Sequence, residues 1–152
     1  MLRASLGCAT SELEWFRVSR NMAAGDVLRI IVPGPPVPKG RARSTRSGHH
    51  YTPERTVEYE SMVRMLGTIA VNKCEWVSGK GPYELRVSIT RARQAGDIDN
   101  FVKAISDGLN NVAFVDDRYI RRIVAEFAED DGFGEPRVEV AVEELVPRPK
   151  RK

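Results

Sequence analysis

Cysteine is almost missing from this chain: Cys8 and Cys74 are the only two in 152 residues. Two isolated thiols offer neither a metal-ligand spacing nor a disulfide framework, which fits a reducing, cytoplasmic compartment. Histidine is as scarce. His49 and His50 are adjacent, a poor arrangement for sharing a metal on a strand. No apolar run approaches the ~20 residues needed to cross a bilayer. Residues 1–21 make a poor secretory signal, because Glu12, Glu14 and Arg17 interrupt any apolar core. There is no internal repeat, no glycine-rich phosphate loop and no nucleophile elbow, so neither a nucleotide-hydrolysing P-loop nor a serine-hydrolase site is encoded.

What remains is an ordinary globular composition, 41% hydrophobic and 30% charged, of a length that argues for one domain. The net charge is only +3, yet it is unevenly spread and the pI is about 9.0. Bases gather at Lys39, Arg41, Arg43 and Arg46, at Arg91 and Arg93, at Arg118, Arg121 and Arg122, and at the tail from Arg148 to Lys152. Acids gather from Glu126 to Glu144 and near Asp97. Local basic blocks fit a nucleic-acid partner, although a solvated surface would look the same by charge alone.

Residues 1–21 have little pattern and are expected to be a dispensable extension, with Met22 as the natural start. Residues 22–146 form the expected domain, and the basic tail 147–152 is expected to be disordered. Within the domain, Val27–Val32 is rich in β-branched residues and predicts a strand. Pro33–Pro38 ends it. The basic stretch from Lys39 to Gly48 is expected to be a solvated loop. Thr52-Pro53-Glu54 starts a helix over roughly 53–72, with Tyr59, Met62, Val63, Leu66, Ile69 and Ala70 on a face that is core or dimer interface. Tyr83–Arg91 alternates as a half-buried strand. A second helix starts near Asp99 or Asn100, with Phe101, Ile105, Leu109 and Val112 as its apolar face. Tyr119–Ala128 predicts a strand with Tyr119, Ile123 and Phe127 on one face and Ile120 and Val124 on the other. Arg137–Leu145 predicts the last strand, paired with the preceding one as a hairpin. The fold class is therefore α+β, a mixed sheet with two main helices packed on it.

The most informative residues are Asp97, Asp99, Asn100, Lys103 and Asp107, with Asp116-Asp117 just beyond. Asp99, Lys103 and Asp107 stand one turn apart on one face of the second helix. If the strand after Asp117 pairs beside the strand ending at Arg91, the two acidic groups approach each other. Clustered carboxylates repel, and one would take up a proton unless compensated. A hard divalent cation, Mg²⁺ or Mn²⁺, would compensate them and could lower the pKa of bound water. Lys103 would place a positive charge near a phosphate. Each residue also has a plain structural reading: Asp99 or Asn100 as a helix cap, Asp116-Asp117 as a turn, Lys103 and Asp107 as a surface ion pair. An EF-hand loop does not fit, because Val102 and Gly108 stand where it needs glycine and glutamate.

The run from Asp97 to Asn110 followed by Asp116-Asp117 resembles the RusA family of Holliday-junction resolvases, found largely in phages and prophages. Pro36-Val37-Pro38-Lys39-Gly40-Arg41-Ala42-Arg43 and Tyr51-Thr52-Pro53 support the resemblance, which covers roughly Val27 to Leu145. It implies a homodimer that hydrolyses phosphodiester bonds in four-way branched DNA during recombination and repair. It implies that Asp97, Asp99 and Asp117 bind the metal, that Lys103 assists catalysis, and that Asp107, Asp116 and Asn100 support the site. Lys39, Arg41, Arg43 and Arg46 are the candidate DNA contacts. This chain departs from the family where many relatives carry glutamine and it has Tyr119, and in the acids Glu126, Glu129, Asp130 and Asp131, which suit DNA contact poorly. Two other readings stand beside this one: a nuclease of looser choice acting on flaps and forks, and a non-catalytic DNA-binding module.

Overall fold

The computed structural model describes residues 27–145. The N-terminal extension, Met22 as a start and the basic tail all lie outside them.

The elements run β1 (Val27–Pro33), β2 (Arg43–Ser44), β3 (His50–Tyr51), α1 (Glu54–Cys74), β4 (Tyr83–Thr90), α2 (Ile98–Leu109), a 3-10 turn (Asp117–Tyr119), β5 (Ile120–Phe127) and β6 (Arg137–Glu144). The main sheet has the order β1-β6-β4-β5. The β1–β6 and β6–β4 pairs are antiparallel and β4–β5 is parallel, so the α+β expectation holds with a mixed sheet. Alternation fixes which side chains meet. Leu28, Val142, Leu85 and Ile123 form one cross-strand row, then Ile30, Val140, Val87 and Ala125, then Val32, Val138, Ile89 and Phe127. Tyr59 and Val63 of α1 and Phe101, Ile105 and Leu109 of α2 share one apolar cluster with these rows, apart from the exposed Ile123. At the helix crossing, a Cβ on Gly108 would come within 2.8 Å of Val63, so glycine lets the two backbones approach. Among the described residues no helix is long and apolar enough to cross a membrane.

Four expectations need correction. β5 and β6 are not a hairpin: β4 lies between them. Their connection passes over the end of β4, where the Arg91 amide donates to the Asp131 carboxylate at 2.7 Å and Gly132 donates to the Arg91 carbonyl at 2.9 Å. Second, β4 is buried on both sides, because it is an inner strand and Glu84 is closed in by Arg86 and Arg122. Third, Ile120 lies on the same side of the sheet as Ile123 and Ala125 and lines one recess with them. A bulge between Tyr83 and Glu84 shifts the register there and reverses the expected alternation. Fourth, Ile69 is exposed, outside the stripe formed by Tyr59 and Val63. The basic loop also gains structure: Arg43 pairs with Tyr51 and Ser44 with His50 in a small exposed ribbon.

Candidate active site

The chain enters α2 through a turn that only glycine suits. Gly96 has φ +97°, and a Cβ there would sit 2.8 Å from the Phe101 ring. Asp97 follows at the N-cap, but its side chain makes no capping hydrogen bond. The carboxylate is therefore not spent on the free amides of the helix start.

Parallel pairing of β5 beside β4 carries the turn before β5 up to the outer face of α2. The Lys103 Nζ donates to Asp117 at 2.9 Å and, one helical turn along, to Asp107 at 2.9 Å. Asp107 also accepts from Lys39 at 2.9 Å, and Lys39 reaches on to Glu60 of α1 at 2.5 Å. Acids and lysines thus alternate along one line: Glu60, Lys39, Asp107, Lys103, Asp117. Hydrogen bonds to Asp107 and Asp117 hold the Lys103 ammonium above the usual lysine range. Burial pushes the Asp107 carboxyl up, but Lys39 and Lys103 outweigh it and leave the group below the usual carboxylate range. Burial likewise works against the charge of Lys39, and its two carboxylates more than compensate. Asp99, Lys103 and Asp117 open together into a recess of about 430 Å³, whose other walls include Val102, Ile120 and Ile123.

Other candidates fall elsewhere. Asp116 turns to Arg118, accepting from its amide at 2.9 Å and its guanidinium at 3.1 Å. That Arg118 contact holds its carboxyl down at about 2, and Asp116 serves as cap of the 3-10 turn that presents Asp117. Asn100 contributes its main chain, accepting the Lys39 amide at 2.9 Å. Arg41, Arg43 and Arg46 are exposed on or beside the ribbon. Lys39 differs from them: it is folded into the ion-pair line, which sequence order alone did not reveal. Glu60 was also missed, and its signal was an acid flanking the buried Tyr59–Val63 stripe. Asp131 was read as part of an unhelpful acidic surface. It is 8% exposed and grips Arg91, whose guanidinium holds its carboxyl below the usual range.

Asp97, Asp99 and Asp117 are hard oxygen donors of the kind a small divalent cation takes. Their chemistry fits such an ion. Among the described residues, though, no three acidic, histidine or cysteine side chains already converge as a cage. Of these three carboxylates Asp117 has its charge compensated by Lys103, while Lys39 compensates Asp107 and Glu60.

The fold and the recess together define a small α+β protein with carboxylates and a lysine set around one opening. The family model described as Endodeoxyribonuclease RusA matches residues 33–143, and the chain belongs to that family. No curated protein matches it.

Proposed function

We propose that the protein is a divalent-metal-dependent endonuclease that resolves four-way DNA junctions by paired phosphodiester hydrolysis, working as a homodimer. Membership of an endodeoxyribonuclease family supports hydrolysis of DNA. The observation that carries the site is the joint opening of Asp99, Lys103 and Asp117 into one recess beside Asp97.

Asp97, Asp99 and Asp117 would hold Mg²⁺, with Mn²⁺ able to substitute. When bound, the ion supplies a polarised phosphate and a more acidic water. The remaining work is the chain's own. Lys103 stays charged and, steered by Asp107, presents its ammonium to the extra negative charge of the phosphate transition state. Asp107 is itself held by Lys39. Asp116 and Arg118 keep the turn that carries Asp117 in shape. Arg41, Arg43 and Arg46 on the exposed ribbon would meet DNA phosphates, and binding would weaken steeply with salt. A two-fold dimer would match the approximate two-fold symmetry of a four-way junction and nick opposing strands in one encounter.

The test is cleavage of a labelled synthetic four-way junction by purified protein with Mg²⁺, with Mn²⁺ and with chelator, beside Asp97→Asn. Metal-dependent paired nicks that vanish in the variant are expected. Equal cleavage of flaps and forks would replace junction resolution with a broader branched-DNA nuclease. Tight binding without nicking in either metal would leave a non-catalytic DNA-binding module.

A further inference from the structure

A second recess, of about 410 Å³, opens near the start of α2. Gly96 is in its wall, while Ile98 is in the wall of the first recess, so Asp97 stands between them in the chain. Pro35 and Pro38 give it rigid, accessible apolar surfaces over the buried Pro36 and Phe101, and Arg55 and Arg93 line it as well. Proline has no amide hydrogen and a fixed φ, so the Pro35 and Pro38 side of this wall makes no demand for a polar partner and loses little freedom when covered. The arginines around it are not equivalent. Arg91 is committed: its guanidinium grips Asp131 at 2.5–2.9 Å, donates to the Gly96 carbonyl and lies 3.5 Å over the Phe127 ring. Arg55 and Arg93 have no ion pair among the described residues and are exposed.

Flat apolar walls beside two uncommitted guanidiniums match a nucleotide, with a planar base and an anionic phosphate. The volume sits at the small end of the usual ligand-pocket range, about 300–1,000 Å³, which suits one nucleotide and not a duplex. We propose that this recess holds a single unstacked nucleotide of the DNA strand close to the scissile phosphate. Its base lies against the accessible Pro35 and Pro38, and its phosphate lies between Arg55 and Arg93. The inference rests on the nuclease reading for the word scissile, and on the recess alone for nucleotide binding. A branch point suits it, because taking a base out of the stack costs least where stacking is already interrupted.

Two measurements separate the inference from the reading it rests on. The first is binding of an uncut four-way junction, in chelator, followed by fluorescence anisotropy for the wild type and for Arg55→Ala/Arg93→Ala. Both side chains are exposed, so the variant should fold, and circular dichroism checks that it does. Kd should rise roughly tenfold, and the slope of log Kd against log salt should fall by about one contact's worth. The second walks one abasic nucleotide through the junction strand. Stacking on an open aromatic ring is worth about 1–3 kcal/mol per base, and packing on prolines should fall at the lower end, so one position should weaken wild-type binding about fivefold. That loss should shrink in the double variant. Equal Kd for variant and wild type, or an abasic walk that is flat within twofold, overturns the nucleotide site even if cleavage is normal. Failure of the wild type to cleave in either metal overturns the nuclease reading and leaves the binding results to decide the recess.

Discussion

From the first recess to α1, acids and lysines consume one another: Asp117, Lys103, Asp107, Lys39 and Glu60 are joined end to end. In the second recess, Arg55 and Arg93 have no ion pair among the described residues. The difference teaches where this chain spends charge. Groups that must keep a fixed position are locked to a partner of opposite sign. Groups left for an anion from outside are kept uncommitted. Arg91 makes the point within a few residues of sequence, since it borders the same recess as Arg93 yet is locked to Asp131.

The largest effect expected from breaking the acidic side is that of Asp117→Asn. It should lower junction cleavage roughly 10³-fold, because a carboxylate that would hold the ion and the partner that places the Lys103 ammonium are lost together. Junction binding should not weaken, because one negative charge facing the phosphates is gone. Single-turnover cleavage and anisotropy on the same sample check both halves. Lys103→Ala should cost about 10²–10³-fold in kcat, and Lys103→Arg should recover only part, since a planar guanidinium does not replace a compact ammonium. Little stability should be lost with it, because the Lys103 side chain is half exposed.

Asp131→Ala attacks the locked arginine. Asp131 is 8% and Arg91 11% exposed, so an abandoned guanidinium should cost about 3 kcal/mol of stability, read from urea denaturation. The smallest effect sharpens the comparison by pH. Lys39→Met should cost about 1–2 kcal/mol at pH 7. The folded value of Asp107 lies below its unfolded value, so its stabilisation is complete above the unfolded value. It is lost as pH falls through the folded one. Because Lys39 supplies part of that depression, the gap between wild type and variant should narrow when urea curves at pH 7 are repeated at pH 3.

Local pattern carried much of this architecture. The apolar rows of β1, β4 and β6, both helices and the approach of Asp117 to the acidic start of α2 at Asp99 follow from periodicity and from one conditional statement about strand neighbours. The mispredicted hairpin shows the limit. Nothing within β5 or β6 says that a strand made earlier sits between them. That information lies in the pairing of Arg91 with Asp131, forty residues apart. Glu84, Arg86 and Ser88 misled for a related reason, since polar residues on an inner strand look solvated until their cross-strand partners are known. In the candidate site, the carboxylates and Lys103 were legible because they are close in sequence. Lys39 and Glu60 were not, because a proline-rich strap and a different helix deliver them.

The strand order also bears on how the molecule comes into being. Among the described residues β1 has one partner in the main sheet, β6, and β6 is the last strand. During synthesis β1 therefore waits for this partner until residues 137–144 have emerged. Such pairing between distant ends of a chain forms slowly. The helix and strands around Asp97 can be complete as local pieces before then, but the sheet beneath them is closed only by the final strand, so a nascent fragment lacking it has no finished platform for its acids.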